Sequence, residues 1–173
     1  MTKGFGHNVP LDQIRDCERI ELVADEGERE RIADRLGLRS LSRLDAHVTL
    51  EREKDRIRAR GRLRASLDQS CVATGEPVAE HVDEPFDIVF VPEPREGRPD
   101  EEIELGAGDC DTVFYEGGAI DLGTAVADSL ALSIDPYPRS PNAEDALREA
   151  GVMSEAEAGP FGALAKLLKQ DDS

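Results

Sequence analysis

The stretch LDAHVTLEREKDRIRARGRLRASL, residues 44–67, decides the fold class of this chain. Its first part has apolar side chains at even positions, and its last part, from Ile57 onward, has them at odd positions. Each part alternates with a period of two, which is typical of a β-strand that buries one face. Because a continuous strand cannot change phase, the charged run Glu51 to Asp55 is predicted to be the turn of an antiparallel hairpin.

A row of arginines lies on the other face of the second predicted strand. Every even position from 52 to 64 is cationic. Arg52 and Lys54 fall at the hairpin end, and the remaining members, called here the arginine row, are Arg56, Arg58, Arg60, Arg62 and Arg64. A strand keeps these side chains on one face, whereas a helix would scatter them. Guanidinium groups in one line can bind phosphates bidentately, so the row predicts contact with a polyanion such as RNA.

The arginine row also has a structural interpretation. Asp45, Thr49 and Glu51 are predicted to face it across the hairpin, and cross-strand ion pairs of this kind contribute only about 0.2–1 kcal/mol each. The arginines outnumber these carboxylates, so both interpretations stay open. With two Tyr, five Phe and no Trp in 173 residues, stacking on single-stranded bases is disfavoured. Phosphate contacts and duplex shape are the predicted mode of RNA recognition.

Charge is divided unevenly along a chain whose formal net charge is −17. The residues up to Ala79 include 15 acidic and 15 basic side chains, and those from Glu80 onward include 23 acidic and 6 basic ones. The neutral first part can approach phosphates, whereas the acidic second part would repel nucleic acid and attract a basic protein. A further interpretation is that the acidic residues only keep the protein soluble.

Targeting signals and disulfide patterns are both missing from the sequence. No segment approaches the roughly 20 apolar residues of a membrane span, and residues 1–8 lack the apolar core of a secretory signal. A cytoplasmic protein without membrane contact is therefore expected. Three separated cysteines, Cys17, Cys71 and Cys110, favour reduced thiols over disulfide bonds.

Two helices are predicted from capping residues and apolar spacing. Asp25 and Glu28 have the spacing of a capping box, and the helix that they begin should end before Gly37. A longer amphipathic helix is predicted over 121–134, because its apolar residues recur every four positions before Pro136.

The predicted fold class is α+β, an antiparallel, curled β-sheet covered by the amphipathic 121–134 helix. Further strands are predicted at 20–24, 86–90 and 113–115. Residues 1–140 should form a single domain with an acidic mobile loop near 92–110. Residues 141–173 should form a linker and a short C-terminal helix, the latter at 160–169.

Enzyme signatures are not found in the sequence. It has no Gly-x-Ser-x-Gly elbow, no Gly-rich phosphate loop ending in Lys and no His-Glu-x-x-His. The histidines are scattered, and His47 is expected to be solvated on the outer face of the first hairpin strand. A zinc site would need a second cysteine near Cys71, but Thr74 stands three positions on, so a buried structural thiol is expected. We predict a protein that is not an enzyme, with no catalytic residue, cofactor, metal or small-molecule substrate.

The segment QSCVATGEPV, residues 69–78, resembles the signature of the YceD-like family of large ribosomal RNA subunit accumulation proteins. Further motifs that agree in order are Gly61-x-Leu63-x-Ala65, Phe86-x-Ile88-x-Phe90, Ile120-Asp121-Leu122, Leu130-Ala131-Leu132, Pro136-x-Pro138 and Pro160-Phe161-Gly162-Ala163-Leu164-Ala165-x-Leu167. The resemblance implies a bacterial factor needed for accumulation or processing of large-subunit ribosomal RNA, with no established catalytic residues. Cys71, Glu76 and Pro77 correspond by position to the family motif. Some members carry a second cysteine where this chain has Thr74, so no metal or redox role is carried over.

Three functional hypotheses remain at this point. The favoured one is a non-enzymatic ribosome-biogenesis factor that binds precursor large-subunit ribosomal RNA through the arginine row. The first alternative is an acidic chaperone or adaptor for a basic ribosomal protein, which would use the acidic residues after Glu80. The second alternative is an RNA-processing enzyme whose active site the sequence does not reveal.

Overall fold

The computed structural model describes residues 2–6, 8–15, 17–93 and 111–152. The chain divides into two compact units, one made of residues 1–69 and 79–136 and the other of residues 70–78 and 137–173. The elements, in chain order, are β1 (Thr2–Lys3), β2 (Val9–Pro10), β3 (Glu18–Val23), α1 (Glu26–Leu36), β4 (Ser40–Glu53), β5 (Arg56–Ser70), β6 (Pro77–Pro92), β7 (Thr112–Tyr115), β8 (Ala119–Ile120), α2 (Leu122–Ser133) and α3 (Ala143–Glu149). The predicted helix at 160–169 and nearly all of the predicted acidic loop lie outside the described residues.

The hairpin predicted from residues 44–67 is confirmed as β4 and β5. The two strands pair antiparallel, and only Lys54 and Asp55 separate them. The predicted turn at Glu51 to Asp55 was therefore too long, because residues 51–53 pair with β5 and extend β4. Leu50 stands opposite Ala59 in the register, so the even apolar positions of β4 and the odd ones of β5 share one face. Lys54 has a φ of 54°, a left-handed conformation that a two-residue hairpin turn requires.

The main sheet contains six strands in the order β1-β3-β4-β5-β6-β7, and β2 pairs with β8 in a separate two-stranded sheet. The predicted antiparallel arrangement is confirmed for β3, β4 and β5, which form consecutive antiparallel pairs. It is wrong for the two outermost strands, since β1 pairs with β3 in parallel and β7 pairs with β6 in parallel. These outer strands are two and four residues long, too short for alternation to reveal their direction. The curl of the sheet stays a prediction.

Helix α1 begins with the predicted capping box. Asp25 Oδ1 accepts from the Glu28 backbone N–H at 2.8 Å, and Glu28 Oε2 accepts from the Asp25 N–H at 2.9 Å. Gly37 follows the helix with a φ of 66°, as predicted. The other carboxylate oxygen of Glu28 accepts from the Gly6 N–H at 2.7 Å, so this buried side chain also holds the N-terminal segment.

The core of the first unit lies between the sheet and α2. The helix was predicted over 121–134 and is confirmed at Leu122–Ser133, with Asp121 capping its first turn through the Thr124 N–H at 2.9 Å. Its buried residues belong to the same apolar cluster as the inner row of β5. At Gly123 an added Cβ would stand 1.8 Å from the carbonyl oxygen of Phe5, so only glycine permits this approach.

Helix α3 lies within the stretch for which a linker was predicted. It has seven residues and only Ala143 is buried, so it has no apolar period that could be recognised in the sequence. None of the helices in the described ranges has the length and apolar character needed to span a bilayer.

Candidate nucleic-acid interface

The arginine row lies on the outer face of β5, opposite the buried inner row. Buried Ile57, Ala59 and Leu63 alternate with the arginines along the strand. The side chains of Arg60, Arg62 and Arg64 retain 48%, 53% and 45% of their full exposure. The period-two prediction therefore places these charges together, as a strand requires.

Two carboxylates of the neighbouring strand β6, Asp83 and Asp87, form ion pairs with four of the five arginines in the row. Arg58 makes a bidentate contact with Asp87, in which Nε donates to Oδ1 at 2.7 Å and Nη2 donates to Oδ2 at 2.6 Å. Arg60 Nε approaches the same Oδ2 at 3.3 Å. Asp83 Oδ1 accepts a hydrogen bond from the Nε of Arg62, and the same oxygen lies 3.6 Å from the Nε of Arg64.

These partners differ from the ones predicted across the hairpin. The register does place Asp45, Thr49 and Glu51 opposite arginines of β5, but Asp45 binds Arg43 of its own strand at 2.5 Å. Glu51 lies 3.6 Å from Arg60, a weaker contact than those made by the β6 carboxylates. Sequence analysis missed Asp83 and Asp87 because the alternation of residues along one strand does not reveal how β5 and β6 are aligned with each other.

The guanidinium partners of Asp83 and Asp87 stabilise the ionised forms of these two carboxyl groups. Hydrogen bonding to Arg62 lowers the pKa of Asp83, and hydrogen bonding to Arg58 lowers the pKa of Asp87. The two carboxylate side chains are 55% and 42% exposed. Ion pairs this accessible are screened by salt and contribute little net free energy, so another anion can replace the carboxylate.

Arg19 on β3 extends the cationic surface across the sheet. In the register Arg19 stands opposite Thr49, and Thr49 stands opposite Arg60, so the three residues form one line across three strands. They lie around a shallow groove of about 520 Å³, which is also lined by His47, Arg62 and Glu21. Sequence reasoning missed Arg19 because it lies outside the hairpin and outside the alternating run.

The family-motif residues Cys71, Glu76 and Pro77 lie in the second unit, where they belong to a tight turn between β5 and β6. The Cys71 N–H donates to the Glu76 carbonyl at 2.7 Å, and the Gly75 N–H donates to the Cys71 carbonyl at 2.9 Å. Gly75 has a φ of 72°, which favours glycine at this position. Pro77 begins β6, where its missing N–H removes no bond from the turn.

The same turn is bonded to the segment that follows α2. The Val72 N–H donates to the Pro138 carbonyl at 2.9 Å, and the Ser140 N–H donates to the Cys71 Sγ at 3.2 Å. Thr74 and Ser140 join their hydroxyls at 3.2 Å. Two motifs that the sequence presents separately, around Cys71 and around Pro138, therefore contact each other.

Cys71 is buried, as predicted for a structural thiol, and Cys17 is an exposed free thiol. Hydrogen bonds from Ser140, supported by Thr74, lower the pKa of the Cys71 thiol to about 6. Among the described residues, no three His, Cys, Asp or Glu side chains gather in an arrangement that would hold a metal ion. His47 lies on the outer face of β4, as predicted, and is exposed.

A family model described as large ribosomal RNA subunit accumulation protein YceD matches residues 59–168. This match covers most of the arginine row, the Cys71 turn and helix α2. No curated protein and no solved structure matches the chain.

Proposed function

The chain belongs to the YceD family of large ribosomal RNA subunit accumulation proteins, and from this premise we propose that it binds the precursor of that RNA directly. The binding surface is the arginine row, and no catalysed reaction is part of the role. The compartment of action is the one in which bacterial ribosomes assemble, the cytoplasm.

The observation that carries this proposal is the geometry of the arginine row. Its guanidinium groups stand on one strand, so the backbone hydrogen bonds of the sheet hold their spacing. Arg58 already forms a two-bond fork with a carboxylate. A phosphate accepts the same fork and carries its own negative charge, so it can take the place of the carboxylate without rearrangement of the strand.

Contact with phosphates rather than with bases follows from the composition of the surface. Strands β3, β4 and β5 contain no Phe, Tyr or Trp, the side chains on which unpaired bases stack. Arginines without aromatic neighbours favour the sugar-phosphate backbone and the shape of a duplex. We therefore expect structured precursor RNA to bind more tightly than an unstructured single strand of equal length.

A charge-reversal experiment on the full-length protein tests this proposal. We expect Arg58→Glu/Arg60→Glu to weaken binding to a transcript of precursor large-subunit RNA, and to make the logarithm of affinity fall less steeply with the logarithm of salt. Each lost phosphate contact reduces that slope by about 0.7–0.9. Fluorescence anisotropy over a salt series measures both quantities.

The single variants Arg58→Glu and Arg60→Glu are measured as well, and Arg148→Glu is the matched control for each of them. Arg148 belongs to the second unit and is 72% exposed. Its reversal changes the net charge by the same amount without touching the row. Equal affinities for the control and for the row variants, with unchanged thermal unfolding, would contradict RNA binding by this surface.

The acidic chaperone is the second candidate, because the row is partly neutralised and because the chain from Glu80 onward contains 23 acidic and only 6 basic residues. Binding of a basic ribosomal protein would survive the arginine variants and would be lost on deleting residues 94–110. An RNA-processing enzyme would instead cleave the transcript as purified protein. The same preparation, incubated with transcript and with a basic ribosomal protein, separates the three functions.

A further inference from the structure

We propose that the groove between Arg19 and Arg60 is a phosphate-binding site, and that a bound RNA backbone crosses β3, β4 and β5 there rather than following β5. This inference rests on the proposed function and adds to it the site of the principal contact and the direction of the bound strand.

The strand register brings the two arginines within reach of one phosphate. Arg19 and Arg60 are both paired with Thr49, from its two sides. Neighbouring strands lie about 4.8 Å apart, so the two arginine backbones are separated by roughly 10 Å. Both side chains line the same groove of about 520 Å³, which is consistent with guanidinium groups on its opposite walls.

Arg19 has no carboxylate partner in the described part of the chain, and Arg60 is held less tightly than Arg58. Arg19 is exposed and makes no ion pair with any residue in the described ranges. Arg60 contacts Asp87 at 3.3 Å and Glu51 at 3.6 Å, whereas Arg58 holds Asp87 at 2.6 Å. A phosphate arriving between Arg19 and Arg60 therefore displaces only the two longer contacts of Arg60 and leaves the two-bond contact of Arg58 in place.

The groove supplies polar groups between its two cationic walls. The hydroxyl of Thr49 and the imidazole of His47 lie on β4, between β3 and β5. Either can donate a hydrogen bond to a phosphate oxygen. Glu21 stands opposite His47 in the register, so its carboxylate repels phosphate at the His47 side of the groove. A phosphate is therefore favoured on the line formed by Arg19, Thr49 and Arg60.

The path along β5 is less suitable for a phosphate chain. Arg62 and Arg64 share Asp83, and Arg58 is held by both oxygens of Asp87. An RNA strand that followed β5 would have to break the ion pairs of these three arginines with Asp83 and Asp87. Crossing the strands at Arg19 and Arg60 avoids most of them.

Two single reversals distinguish the paths. If RNA crosses the strands, Arg19→Glu weakens binding of the precursor transcript and lowers the salt slope by about 0.7–0.9, while Arg64→Glu has a smaller effect. If RNA follows β5, Arg64→Glu has the larger effect and Arg19→Glu resembles the Arg148→Glu control. The second pattern would overturn the groove and leave the proposed function intact.

Two further measurements make the result decisive. Glu21→Gln removes the repelling carboxylate and should tighten binding, a change opposite in sign to that of Arg19→Glu. A 20-base-pair RNA duplex, tested beside the transcript, should respond in the same order to all variants. If neither RNA binds the unchanged protein, both the proposed function and the phosphate-binding groove are refuted. Thermal unfolding of each variant excludes loss of the fold as the cause.

Discussion

Replacing the β6 carboxylates by amides should strengthen RNA binding. Asp83 and Asp87 together engage four arginines of the row, Arg58 to Arg64. The double variant Asp83→Asn/Asp87→Asn keeps the side-chain size and removes two negative charges. RNA phosphates then no longer compete with these carboxylates for the guanidinium groups.

The size of the effect follows from the number of charges. Removing two carboxylates allows the protein to make up to two more phosphate contacts. Each contact makes the slope of log affinity against log salt more negative by about 0.7–0.9. Between 50 and 200 mM salt, a slope steeper by about 1.6 amounts to an additional tenfold loss of affinity. The variant should therefore bind more tightly than the unchanged protein at low salt, and this advantage should shrink by about tenfold at the higher salt.

Anisotropy titrations at four or five salt concentrations provide the measurement, with Glu84→Gln as the control. Glu84 is an exposed carboxylate of the same strand and makes no ion pair within the described part of the chain. Acidification cannot replace the substitution, because hydrogen bonds from Arg62 and Arg58 lower the pKa of Asp83 and Asp87, so other carboxylates would be protonated first. If the single variants Asp83→Asn and Asp87→Asn bind no more tightly than Glu84→Gln, exchange of carboxylate for phosphate is wrong.

Two predictions concern stability and are measured by urea unfolding. Gly123→Ala should lower the free energy of unfolding by roughly 1–3 kcal/mol, because the new Cβ would stand 1.8 Å from the Phe5 carbonyl oxygen. The control Gly118→Ala, with nothing within 4 Å, should change it little, and equal effects would contradict the close contact. Since the pKa of Cys71 is lowered to about 6, its thiolate contributes stability in full above the ordinary thiol pKa of about 8.5, and this contribution is lost as the pH falls through 6. Cys71→Ser should remove the rise in stability between these pH values, and an unchanged pH profile would argue against a thiolate.

The hairpin is the part of the fold that local sequence specifies most completely. Its strands and its buried face follow from the change of phase between residues 44 and 67, because alternation is a local property. The length of its turn does not follow from that change, because residues 51–53 are charged and become strand by pairing with β5. The capping box at Asp25 and the 121–134 helix are local in the same sense, and both are confirmed.

The short elements could not be predicted in this way. Strands β1, β2 and β8 contain two residues each, and they exist only because other strands offer them backbone partners. The N-terminal part of β6 was missed as well, since Pro77 to Pro85 shows no clean alternation of apolar residues. Pairing with β5 makes it a strand.

For the candidate interface, the sequence by itself determined that five arginines share one face of a strand, because side-chain direction along a strand depends only on position. Only the tertiary structure decided which charges surround them. Asp83, Asp87 and Arg19 come from strands other than β5, and the sheet brings them beside the row by backbone pairing. Electrostatic interaction depends on distance in space, so the availability of each arginine for a phosphate is a property of the folded sheet.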